Sequence, residues 1–219
     1  MRPPVIALVA LAVVFTCALL LVPGTLAPAA DRPKEPLVKR VEQAIEQGKQ
    51  YLLKQQTRQG DWERDAVANA RPGGCTALAL LALLNAGVLA DHPAIQRGLA
   101  YLREVKPRDT YVVGLQTMVY CLAGEDKQRI ENNVKWLLDV RRREGAKLHG
   151  WPYQDNGGRP DASNTQYALL GLHEAQLAGV TIDPEVWASI RDYYLNTQTP
   201  GGAYYYEWDF VTGWNLFNF

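Results

Sequence analysis

Histidine, methionine and cysteine are scarce, at three, two and three in 219 residues. His92, His149 and His173 stand far apart with no paired ligand spacing, so no structural or catalytic zinc site is expected. A surplus of charge is also missing. Lysine plus arginine number 23, as do aspartate plus glutamate, and no field of one sign draws the chain to nucleic acid. The chain has no G-x-S-x-G elbow, no phosphate-binding Gly-Lys loop and no H-E-x-x-H pair. No cofactor is expected. Strand-like patterning is absent until the aromatic AYYYEWDF at 203–210. What the chain does contain is ordinary globular composition, 47% hydrophobic against 21% charged, in a length that can bury a sizeable core.

One apolar run stands apart. Arg2 precedes VIALVALAVVFTCALLLV at 5–22, followed by Pro23, Gly24 and the small-residue stretch TLAPAA. Residues 1–29 read as an export signal cleaved near Ala27 or Ala29. The alternative is an uncleaved anchor, since the run is at the short limit for spanning a bilayer. Either way residues 30–219 are expected outside the cytoplasm: periplasmic, secreted or membrane-anchored. Cys17 follows Phe15 and Thr16, which a lipid-attachment signal disfavours. Cys75 and Cys121 fall in apolar helical stretches and are expected as two buried thiols rather than a bridge.

From Pro36 onward apolar residues recur at three and four, as Val38, Val41, Ile45 and Leu52 illustrate. This spacing, with Asp91–Pro93, Asp109, Asp161 and Asp183–Pro184 at starts and Gly87, Gly124 and Gly179 at stops, predicts seven helices. They cover 36–57, 75–86, 93–105, 110–123, 127–143, 162–178 and 184–197. The odd-numbered helices share a core: IEQGKQYL from Ile45, IQRGLAYL from Ile95 and IENNVKWL from Ile130. The even-numbered helices are more apolar and end alike in LNAG, CLAG and QLAG. The alternation predicts a helical-pair repeat, one helix of each pair half exposed and the other mostly buried. Three loops join a glycine to an aromatic: Gly60 and Trp62, Gly150 and Trp151, Gly202 and Tyr204.

The stretch QTRQGDW, Gln56 to Trp62, resembles the QW repeat of squalene and hopene cyclases. The paired helices of 36–219 are similar to the wider prenyltransferase and squalene cyclase repeat superfamily. The resemblance implies an all-α fold, an α/α toroid of inner and outer helices around a cavity. Seven helices make only part of such a ring, which needs about six pairs. A fragment of a longer protein, or a partner that completes the ring, is therefore expected. Gln56, Gly60, Trp62, Gly150, Trp151, Gln198, Gly202 and Tyr204 are expected to act as clamps between repeats, glutamine bonding the backbone of a helix end while the aromatic covers the turn.

The superfamily's known chemistries do not fit these residues. Terpene cyclases of this kind protonate an alkene with the central acid of D-x-D-D; the matching DASN at 161–164 has Ser163 there, whose hydroxyl is too weak an acid. Asp161 is expected as a helix cap. Protein prenyltransferases hold zinc with an Asp two residues before a Cys, but Gly73 precedes Cys75 at that spacing. Thioester domains place Gln three residues after the Cys, where this chain has Leu78.

The expected function is thus an exported binding or scaffold protein without the catalytic motifs of its superfamily. The alternative is a terpene cyclase or prenyltransferase-like enzyme on isoprenoid substrates, with catalytic residues outside this chain. A pocket would be lined by Cys75, Thr76, Tyr111, Gln116, Asp161, Asn164 and Gln166, which otherwise serve as caps and core-edge polar groups. Expected partners are a hydrophobic small molecule or a protein, with the membrane reached only through residues 1–29. Self-association is expected through an uncovered apolar flank that includes Trp208, Phe210, Trp214, Phe217 and Phe219.

Overall fold

A computed structural model of the protein describes residues 36–64 and 71–204. The chain divides into two compact units, Met1–Val41 and Glu42–Phe219. The first is described only from Pro36, where α1 is about to begin; the second holds the core. The export segment, Cys17 and the aromatics from Trp208 to Phe219 lie outside the described residues, as does all but the start of AYYYEWDF.

Seven helices are described: α1 Leu37–Gln55, α2 Gly74–Asn85, α3 Pro93–Glu104, α4 Thr110–Ala123, α5 Lys127–Val140, α6 Ala162–Leu177 and α7 Pro184–Thr197. The described chain is mostly helical, as expected of an all-α protein. Between α5 and α6 runs a small antiparallel sheet of order β1-β2-β3, formed by Arg142–Glu144, Lys147–Pro152 and Pro160–Asp161.

The helix starts follow local chemistry. Asp126, Asp161 and Asp183 accept from the backbone N–H of Gln128, Asn164 and Glu185 at the beginnings of α5, α6 and α7. At α3 the cap is His92, whose ring Nδ1 accepts from Ala94 N, and Pro93 begins the helix where its missing N–H costs nothing. Gly87, Gly124 and Gly179 end α2, α4 and α6 in the left-handed region, at φ +83°, +71° and +88°. A Cβ on Gly179 would meet no atom within 4 Å, so its penalty is conformational alone. Gly179→Val is expected to lose about 1–2 kcal/mol, read as a lower thermal midpoint.

The even-numbered helices are apolar around most of their surface and form the centre: α4 packs between α2 and α6. The contact between α4 and α6 is a glycine crossing. Cβ atoms built on Gly114 and Gly171 would lie 2.5 Å from the Tyr167 carbonyl oxygen and 3.0 Å from Gly114 Cα. Outside this layer, α3 packs on α2, and α5 packs on α4 and α6, each through one apolar face. Ile95, Leu99 and Leu102 of α3, and Ile130, Val134 and Leu137 of α5, are buried. The expected division into buried and half-exposed helices is therefore present from α2 to α6, whereas α1, expected to be half buried, has no buried residue.

Four readings of the sequence require correction. The fifth helix ends at Val140, because Arg141 turns extended (ψ 142°) and Arg142 pairs with Gly150 across the sheet. Gly150 and Trp151 consequently stand in strand β2, with His149 before them, and not in a loop. β2 reads KLHGWP, without a β-branched residue and with glycine and proline, so its strand character arises from pairing rather than propensity. Cys75 is exposed rather than buried. Cys121 is half-buried, its thiol pushed up to about 11 by burial, and the two cysteines are not joined.

Candidate functional site

Two loops that lie far apart in sequence carry the same hydrogen-bond pattern. After α1, the Gln56 side chain donates to Gly60 O at 2.9 Å and Thr57 N donates to Asp61 O at 2.9 Å. After α7, Gln198 donates to Gly202 O at 3.1 Å and Thr199 N to Ala203 O at 2.8 Å. Gly60 and Gly202 both sit at positive φ, +92° and +86°, where a side chain would be strained. Gln56 also reaches across to the next odd-numbered helix, donating to Ala94 O of α3 at 2.8 Å. Trp62 is buried and its indole donates to Leu52 O, while Tyr204 stacks edge-on against Tyr194.

Trp151 anchors the sheet in a related way. It is fully buried; its indole donates to Leu137 O at 2.6 Å and its backbone N–H to Thr165 Oγ1 at 3.1 Å. Trp62 N donates to Thr76 Oγ1 at 3.0 Å in the same manner, so each tryptophan is tied to a threonine in the first turns of a central helix. Gly150 lies close under that turn: a Cβ there would be 2.6 Å from Thr165 Oγ1.

The starts of α2, α4 and α6 gather at one end of the central layer. A Cβ on Gly74 would touch the Tyr111 ring at 3.1 Å, and Tyr111 meets Tyr167 edge-on with centroids 4.7 Å apart. Each start has an acidic residue. Glu63 Oε1 accepts from Gly73 N, Thr76 N and Thr76 Oγ1, capping α2 from outside the helix. Asp109 precedes α4 without capping it; there Thr110 is tied instead to Pro152 O and Tyr153 O. Burial pushes the Asp109 carboxyl up, against the pull of Arg71 and Arg108. Asp161 caps α6 with Oδ1, which accepts from Ser163 Oγ and Asn164 N, and holds Asn164 Nδ2 with Oδ2.

A cavity of about 230 Å³ opens here, lined by Arg71, Tyr111, Tyr153, Ser163, Asn164 and Tyr167. The Arg71 guanidinium lies 4.3 Å above the Tyr153 ring. Asn164 is 1% exposed; its amide nitrogen is fixed on Asp161, which leaves Oδ1 as a buried acceptor with no partner among the described residues. Burial, with Tyr167, Cys75 and Glu63 nearby, pushes the Tyr111 phenol up to about 12, so it is a neutral donor at physiological pH.

The seven expected lining residues thus separate. Tyr111 and Asn164 meet in the cavity, and Cys75 lies beside Tyr111. Thr76 and Asp161 are buried parts of the capping network. Gln116 is buried in the core, donating to Leu102 O and Tyr120 Oη. Gln166 faces solvent on α6. Arg71, Tyr153, Ser163 and Tyr167 also line the cavity and were not among the expected seven; the position of Ser163 and Tyr167 in the first two turns of α6 is the signal that could have singled these two out.

A second cavity, about 280 Å³, lies between the β1–β2 hairpin and α7 and is lined in part by His149, Ser189 and Asp192. Ser189 Oγ is turned onto Val186 O of its own helix at 2.7 Å, so these residues form no nucleophile relay. Among the described residues no three His, Cys, Asp or Glu side chains gather as a metal site, and no helix is long and apolar enough to cross a membrane. Compared with models of known families and with curated proteins, the chain matches none.

Proposed function

We propose that this chain is an exported repeat protein of the squalene cyclase-like toroid kind that binds its ligand without transforming it. The ligand's polar end enters at the starts of α2, α4 and α6. The observation that carries the reading is the tyrosine-walled cavity with a buried acceptor, Asn164 Oδ1, that has no partner among the described residues. Aromatic walls favour an apolar body, and an acceptor lacking a donor favours a single hydroxyl, so a hydrophobic alcohol suits both. The repeated Gln–Gly–aromatic loop and the alternation of central and outer helices support the toroid. The enzyme reading is weaker because both oxygens of Asp161 are committed to Ser163 and Asn164, in the geometry of a cap.

Titration with farnesol, followed by intrinsic fluorescence, tests this. Saturable binding is expected, with Asn164→Leu or Tyr167→Ala raising Kd about tenfold, equivalent to about 1.4 kcal/mol. Squalene should be returned unchanged. Affinity untouched by both substitutions would remove the site, and a cyclised product lost in Asp161→Asn would restore the enzyme reading.

A further inference from the structure

The loop at Gln56–Gly60 is a seat for a helix. Gln56 donates to Ala94 O, Arg97 returns a hydrogen bond to Gln56 Oε1, and a Cβ on Gly60 would lie 2.6 Å from Arg97 O. The helix on this seat, α3, carries the pattern Ala94-Ile95-x-x-Gly98-x-x-Tyr101-Leu102. Its glycine admits Leu80 of α2, whose Cδ2 lies 2.8 Å from where a Cβ would be.

Both halves of this contact recur, each without its counterpart among the described residues. Helix α1 has the same pattern in Ala44-Ile45-x-x-Gly48-x-x-Tyr51-Leu52. Ile45, however, is 50% exposed where Ile95 is 0%, and nothing described lies within 4 Å of a Cβ on Gly48. The Gln198–Gly202 loop has the internal hydrogen bonds of the seat, yet among the described residues a Cβ on Gly202 would meet only Gln198 itself. With the two loops in register, Leu195 stands where Leu53 does. Leu53 packs on the core, while Leu195 is 67% exposed.

We propose that the seat at Gln198–Gly202 receives α1 of a second copy of this chain, head to tail. The pattern common to α1 and α3 identifies the occupant, and the α3 seat supplies the geometry. Ala44 O would accept from Gln198 Nε2 as Ala94 O does from Gln56, and Ile45 and Leu195 would be covered together. A contact between two different edges is heterologous, so every open assembly retains one open edge of each kind, and assembly continues until a ring closes.

Sedimentation of full-length chains tests this, in a mild detergent that occupies the apolar run at residues 5–22. Wild type is expected to be larger than a monomer at high micromolar concentration. Ile45→Lys and Leu195→Lys change exposed side chains, so both should keep the wild-type helical content while each becomes monomeric. Mixed in equal amounts, they should form a dimer and nothing larger, because the mixture retains one intact edge of each kind. Monomeric wild type, variants that associate like wild type, or a mixture that stays monomeric would each overturn the proposal.

Discussion

Gly114→Ala is expected to lower stability by about 3 kcal/mol, near the upper end of what overpacking costs. Helix propensity alone predicts the opposite sign, since alanine is favoured over glycine inside a helix by about 0.5–1 kcal/mol. The packing at the α4–α6 crossing decides. The new Cβ would stand 2.5 Å from the Tyr167 carbonyl oxygen and 2.9 Å from its carbon. Both are backbone atoms, so no change of rotamer relieves the clash, and α6 must move away from α4 at the centre of the core. Over a domain of this size the thermal midpoint should fall by roughly 5–10 °C. Gly48→Ala provides the contrast: with no atom within 4 Å, propensity acts alone and a gain of about 0.5–1 kcal/mol is expected. A raised midpoint in Gly114→Ala would refute the close crossing.

Trp151→Ala is expected to cost about 3–5 kcal/mol, the usual range for emptying an aromatic site in a core. The side chain is fully buried, and its loss also removes the donor to Leu137 O near the end of α5. Trp151→Phe separates the contributions: most of the ring volume stays, the indole donor goes, and about 1–2 kcal/mol should be lost. Denaturant midpoints at an unchanged slope would measure both. An alanine variant as stable as wild type would mean that the Trp151 indole is not buried against Leu137 O as described.

The cavity shows how far local pattern reaches. Asn164 and Tyr111 could be singled out because they begin helices that the sequence delimits, and Asp161 could be assigned as a cap on the same ground. Arg71 and Tyr153 lie in connecting segments whose approach to α4 and α6 has no periodic signature. Glu63 caps α2 from ten residues before Gly73, at a spacing for which capping rules of a single turn have no pattern.

The sequence by itself determined the helices and their two kinds, because apolar spacing, caps and terminal glycines act within a turn or two of the chain. It also located the Gln56 and Gln198 loops, whose hydrogen bonds close over four residues. Only the tertiary structure decided that Arg142–Glu144 and Lys147–Pro152 are strands and that Gly114 and Gly171 let two helices meet. It likewise decided that Asn164 Oδ1 lies beside three tyrosines with no partner among the described residues. The reason is range: each of these depends on partners distant in the chain, and a residue's own neighbours do not say which surface will be brought against it.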